Sequence, residues 1–176
     1  EFKQLYIDIT DAIREVDNNH IVYIEGNWYG TDFSGLTPPW DDNMSYSFHK
    51  YWGETSLGTI QSYISMSNQY DIPLWMGESG ENSNHWYYEV FTLLEENNIG
   101  WNFWTHKKVE KISSPFSAVV TPQYQTLINY WSGNGSQPSS TYAEAALIGF
   151  ANSLKLENCD FLPGVIASLT DPEYGE

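Results

Sequence analysis

The segment WMGESGEN (75–82) sets Glu78 directly after the apolar run IPLWMG (72–77) and between Gly77 and Gly80. Two glycines there leave room for a substrate to approach the backbone. A carboxylate at a strand end in a crowded cleft can attack an anomeric carbon. Its competing role is a glutamate that favours the start of the next helix. SFHKY (47–51) supplies a second element. Residues two apart in a strand point the same way, so His49 and Tyr51 can face one site. Both side chains can donate hydrogen bonds to a neighbouring carboxylate and so hold Glu78 ionised and oriented.

GWNFWTHKK (100–108) supplies a third. Trp101 and Trp104 straddle the end of an apolar run, and one of them could form the floor on which a sugar ring lies. Lys107 could reach sugar hydroxyls, although a solvated face is the commoner fate for Lys107 and Lys108. IEGNWYG (24–30) places Glu25, Asn27 and Trp28 at one strand end. Glu25 is a candidate partner carboxylate, because retaining glycoside hydrolysis uses a second one about 5–5.5 Å from the first. WDDN (40–43) has the composition of a turn more than of a calcium site. His20, His85 and His106 lie on separate elements and show no metal-ligand spacing.

The elements that must position these residues alternate in type. Residues 2–16 have helical spacing, with Phe2, Leu5, Ile9, Ile13 and Val16 near one face. IVYIE (21–25) and IPLWMG (72–77) read as buried strands, and MSYSFH (44–49) and IGWNFW (99–104) as further strands. Helices are expected over 56–69, 84–96, 122–131 and 141–156, the last with Thr141 as N-cap. GNWYGTDFSGLTPPWDDN is a long loop of the kind that carries function. SGNGSQPSS has the composition of a connector. Strands alternating with helices imply a parallel α/β sheet. No glycine-rich phosphate loop follows any strand. The polar, aromatic and acidic residues cluster just after each strand, as at the C-terminal mouth of a barrel. A full barrel takes about 250 residues, so four βα units in 176 residues are half of one.

Composition narrows the chemistry. The formal net charge is −16, from 7 Lys+Arg against 23 Asp+Glu. That balance gives no footprint for phosphate backbones or anionic membranes. A neutral polymer is not repelled. Aromatic residues make up 16% of the chain, including 8 Trp and 13 Tyr, more than a core of this size needs. The surplus fits a surface that stacks on sugar rings. The single cysteine, Cys159, leaves no internal disulfide and no cysteine-based metal site; its expected role is a small buried hydrophobe.

Taken together, AIREVDNNHIVYIEGNWYG, NMSYSFHKYW, PLWMGESGEN and IGWNFWTHKK resemble the second half of glycoside hydrolase family 5, over about residues 5–131. The resemblance implies the C-terminal half of a (β/α)8 barrel, strands five to eight, plus an extra C-terminal helical segment. It implies a catalytic-domain portion over 1–157 and a tail over 158–176. It implies a retaining, endoglucanase-like hydrolase of a β-linked polysaccharide, with Glu78 as nucleophile, His49 and Tyr51 beside it and Trp104 as the sugar-stacking residue. Trp28 and Lys107 are the further candidate substrate contacts. Neither metal nor organic cofactor is implied, and the location implied is extracellular, in a bacterium. The family's acid/base glutamate sits in an Asn-Glu-Pro segment after the fourth strand, and no such segment occurs here. Glu25 belongs one strand later, so that role is not transferred to it. The expected partner is therefore the N-terminal half of the same barrel, as a second chain or a missing segment. Other readings of the residues are a non-catalytic glycan-binding half-barrel, or a β-mannanase or β-1,3-glucanase of the same fold.

Overall fold

Met44 to Phe48 are buried without interruption, the pattern of a strand covered on both faces. This strand is central in a computed structural model that describes residues 1–175. The chain forms two units, Glu1–Trp104 and Thr105–Glu176. Glu176, the last residue of the expected tail, lies outside the described residues.

The first unit begins with α1 (Phe2–Arg14) and β1 (Val22–Glu25). A single turn at Asn27–Gly30 follows, then β2 (Met44–His49) and, after a 3-10 turn at Leu57–Thr59, α2 (Gln61–Tyr70). Next come β3 (Leu74–Glu78), α3 (Asn84–Glu96) and β4 (Gly100–Trp101). The sheet order is β1-β2-β3-β4 and every pairing is parallel. Each crossover between β1 and β4 carries a helical segment, which is the winding of a partial (β/α)8 barrel.

Helix α3 shows why this winding holds. Ser83 Oγ accepts from Trp86 N at 3.2 Å and caps the helix. Trp86, Tyr87, Val90, Phe91 and Leu94 then line one buried face. Phe91 packs edge-on to Trp101 of β4, with ring centroids 4.4 Å apart. Tyr46, Phe48, Met76 and Ile60 are among the fully buried side chains of this unit's interior. The apolar stripe of α1 has a different fate: Phe2, Leu5 and Ile9 stay exposed in this chain.

The loop between β1 and β2 is tied down by charge. Arg14 grips Asp41 with two hydrogen bonds of 2.8 Å and donates to the carbonyls of Asp17, His20 and Asn43. The WDDN segment is therefore a turn closed onto α1, with Asp41 Oδ1 also accepting from Asn43 N at 2.8 Å.

The second unit holds a small sheet of β5 (Lys107–Val109), β6 (Phe116–Ala118) and β7 (Asp160–Phe161). β5 and β6 are parallel, and β6 and β7 antiparallel. With it come α4 (Pro122–Trp131), α5 (Ser140–Ser153) and α6 (Pro163–Thr170). Tyr124 and Phe150 stack between α4 and α5 with ring centroids 4.0 Å apart. The cap of α5 is Ser139, whose Oγ accepts from Tyr142 N. Thr141 instead lies inside the helix, because the serine two residues earlier reaches the free amide first. Cys159 is only partly covered. Among the described residues no helix is long and apolar enough to cross a membrane.

Candidate active site

Three strand ends bring the site together. Glu25 closes β1, His49 closes β2 and Glu78 closes β3. The register shifts between Phe48 and His49, so that His49 pairs with Glu78. Such a bulge re-aims the side chain beyond it. Tyr51 follows just past the bulge, and its hydroxyl donates to Glu78 Oε2 at 2.7 Å. His49 Nδ1 lies 3.6 Å from the same oxygen. On its other side, His49 Nε2 lies 3.0 Å from Glu25 Oε1. The imidazole is nearly buried, at 10% exposure, while the Glu78 side chain keeps 33% and can meet a ligand.

Burial pushes the Tyr51 phenol well above its ordinary range, helped by its hydrogen bond to Glu78 and by the charges of Glu78 and Glu81. Tyr51 is thus held as a donor. Asn82 Nδ2 donates to the Tyr51 carbonyl at 3.2 Å and fixes the backbone behind it.

The glycines around Glu78 have a different task from the one their type suggests. A Cβ on Gly77 would stand 2.3 Å from Ser47 Oγ, and one on Gly80 would stand 1.9 Å from the Trp104 carbonyl oxygen. The room they leave is filled by neighbouring strands. Trp104 N donates to the Ser79 carbonyl at 2.7 Å, and Gly80 and Trp104 form an isolated parallel bridge. The expected strand over 99–104 is therefore paired over Gly100–Trp101 and again at Trp104. That bridge fixes Trp104 beside the Glu78 loop with its side chain half exposed.

A cleft of about 790 Å³ opens over these strand ends, lined by Glu25, Trp28, Tyr29, His49, Trp52 and Glu78 among others. That volume lies within the range of small-molecule binding clefts, about 300–1,000 Å³. Trp28 and Tyr29 are strongly exposed and sit at φ 50° and 58°, followed by Gly30 at φ 75°. Three successive left-handed residues are costly, at about 1–2 kcal/mol for each non-glycine. The turn is closed by Asn27 N to the Asp32 carbonyl at 2.7 Å and by Thr31 Oγ1 to the Trp28 carbonyl at 2.6 Å.

Trp52 was not singled out by the residue pattern. It is exposed at the cleft while its backbone is clamped. Lys50 Nζ donates to the carbonyls of Trp52 and Glu54, and Trp86 Nε1 donates to the Gly53 carbonyl at 2.9 Å. The available signal was a tryptophan adjoining Tyr51 and preceding a glycine turn. Lys107 lies in the second unit, where its ammonium donates to the Leu154 carbonyl. Among the described residues no group of three or more His, Cys, Asp or Glu is arranged to hold a metal ion.

The family model for cellulase (glycosyl hydrolase family 5) matches residues 1–109. The chain belongs to this family. The matched span contains Glu25, His49, Tyr51 and Glu78, so every group that meets at the three strand ends lies on the family 5 portion, as does Trp104 beyond β4. Among solved structures, the cellulose synthase subunit Z of Clostridioides difficile is similar over 96% of this chain and 56% of its own, at 14% identity and a TM-score of 0.55. An endoglucanase matches 58% of this chain and 45% of its own, at 22% identity and a TM-score of 0.46. An endo-β-1,4-glucanase of Xanthomonas axonopodis pv. citri, in a triply substituted form, matches 80% of this chain and 52% of its own, at 16% identity and a TM-score of 0.46. The chain thus spans about half the length of these structures. No curated protein matches it.

Proposed function

We propose that this family 5 chain carries the nucleophile half of a retaining endo-β-1,4-glucanase active site. One observation supports this above the others. Tyr51 and His49 both address Glu78 Oε2, and among the described residues no hydrogen bond reaches Oε1. An oriented carboxylate with one free oxygen in an aromatic cleft is what in-line attack on an anomeric carbon requires.

The reaction is a double displacement. An acid/base carboxyl protonates the departing glycosidic oxygen as Glu78 Oε1 bonds to the anomeric carbon. The same carboxyl, now a base, takes a proton from water, which cleaves the glycosyl ester. Glu78 then leaves as a carboxylate. The acid/base belongs to the barrel half that this chain lacks, supplied by an upstream segment or a second chain. The exposed apolar residues of α1 and the unpaired edge of β1 support such a partner. Trp104, Trp28 and Trp52 offer flat surfaces to the glucan. A chain with a formal charge of −16 does not repel a neutral polysaccharide, and the site of action is outside the cell.

The test is mechanism-based labelling with 2,4-dinitrophenyl 2-deoxy-2-fluoro-β-cellobioside, followed by intact mass and a peptide map. This leaving group departs without acid assistance, so the experiment bears on the nucleophile alone. A covalent adduct on the peptide containing Glu78 is expected once both barrel halves are present. An adduct on Glu25 would reassign the nucleophile. No adduct with either the cellobioside or its β-mannoside analogue would sink the retaining mechanism.

A further inference from the structure

The imidazole of His49 is wedged between glycines. A Cβ on Gly30 would lie 2.8 Å from its Cγ and Cδ2, and one on Gly77 would lie 3.7 Å from Cδ2. These walls fix the plane of the ring but not its direction. A half-turn about the Cβ–Cγ bond exchanges Nδ1 with Cδ2 and Nε2 with Cε1 at almost no steric cost, so a polar partner must choose between the two. Glu25 is that partner, with Oε1 3.0 Å from Nε2. An ionised carboxylate only accepts, so Nε2 carries the proton between them. The choice places Nδ1, rather than a carbon, 3.6 Å from Glu78 Oε2.

Glu25 is itself anchored. Its residue pairs with Ser47 in the β1–β2 ladder, and its carbonyl accepts from the Tyr6 hydroxyl at 3.1 Å. α1 and β2 thus hold the residue that aims His49.

We propose that Glu25 is a positioning residue, which sets the direction of the His49 ring and through it braces the Glu78 carboxylate. This rests on the reading of Glu78 as nucleophile. It gives Glu25 a task distinct from proton donation to the leaving group.

The test compares Glu25→Ala and Glu25→Gln in the full-length protein with both barrel halves. The first readout is inactivation by the same dinitrophenyl fluoro-cellobioside, which needs no acid. In Glu25→Ala the maximal inactivation rate should fall about tenfold or more, toward the roughly hundredfold loss that a misplacement of about 1 Å can cause. The inhibitor's binding constant should change by no more than about twofold, since Glu25 acts through another residue rather than on the sugar. Glu25→Gln should recover most of the rate, because its amide oxygen still accepts from Nε2. The second readout is the nitrogen spectrum of histidine-labelled protein, with His49 assigned by His49→Asn. A hydrogen-bonded Nε2 proton should be present in the parent, lost in Glu25→Ala and kept in Glu25→Gln. Should Glu25→Ala fail to fold, Glu25→Met fills the space without an acceptor and carries the same expectations. An unchanged rate with an unchanged His49 spectrum overturns the proposal, as does an equal loss in the alanine and glutamine variants. If the parent protein is never labelled at Glu78, the nucleophile reading fails, while the His49 spectrum still decides what Glu25 does to the ring.

Discussion

Tyr51 and His49 meet the same oxygen of Glu78. The phenol donates to Oε2 at 2.7 Å and the imidazole Nδ1 stands 3.6 Å from it. The two side chains come from one strand end, two residues apart on either side of Lys50. The carboxylate is therefore pinned at one oxygen, and among the described residues no hydrogen bond reaches the other.

Removing the phenol should show how much that pin matters. Tyr51→Phe keeps the ring and deletes the donor. A hydrogen bond to a charged group contributes about 1.5–3 kcal/mol. Labelling of Glu78 should slow by about 10- to 100-fold, the range such a loss spans. The binding constant for the inhibitor should stay within about threefold, since Tyr51 serves the nucleophile. Inactivation kinetics measure both. A large change in binding with an unchanged rate would move Tyr51 from Glu78 to the sugar.

Gly30 couples the Trp28–Tyr29 turn to His49. Its φ is 75°, and an added Cβ would press on the imidazole at 2.8 Å. Gly30→Ala should cost about 1–2 kcal/mol from the left-handed backbone alone and should also displace the ring. Gly35 is the matched control, with φ 78° and nothing within 4 Å of its added Cβ. Thermal unfolding should place the two alanine variants close together, with Gly30→Ala the lower. Only Gly30→Ala should slow the labelling of Glu78. Equal labelling rates in the two variants would separate the turn from the site.

The Arg14–Asp41 pair gives the fold an acid sensitivity. The hydrogen bonds from Arg14 hold the Asp41 carboxyl below its ordinary 3.8. A depressed carboxyl contributes stability that is fully present above the unfolded value and is lost as pH falls through the folded one. Stability from this pair should therefore be constant above about pH 5 and decline below pH 4. Chemical denaturation of the parent and of Asp41→Asn across that range checks it. The variant should be less stable near neutrality, with the gap closing as the medium becomes acid. A gap that widened in acid would reverse the sign.

Much of this arrangement was legible in the residues. The strand expected at 44–49 forms with those bounds, and His49 and Tyr51 do converge on Glu78. Helix 84–96 matches its expected bounds because Ser83 supplies a cap and Trp86, Tyr87, Val90, Phe91 and Leu94 supply a face. The strands β5 to β7 were not legible. They are only two or three residues long, too short for a period to declare itself. The left-handed turn at Trp28 and Tyr29 was hidden for another reason. Bulky aromatics are poor candidates for positive φ, and only the surrounding hydrogen bonds hold them there. The grip of Glu25 on His49 also escaped the pattern, because it joins residues 24 apart through a ring direction that spacing does not encode.

The β1-β2-β3 order of the sheet has a metrological consequence. Neighbouring strands sit about 4.8 Å apart, and Glu25, His49 and Glu78 occupy the ends of three consecutive ones. The spacing of these three side chains is thus a multiple of a backbone constant, graduated by the ladder hydrogen bonds. The loops beyond can lengthen, shorten or exchange their aromatics, and the gauge beneath them keeps its marks.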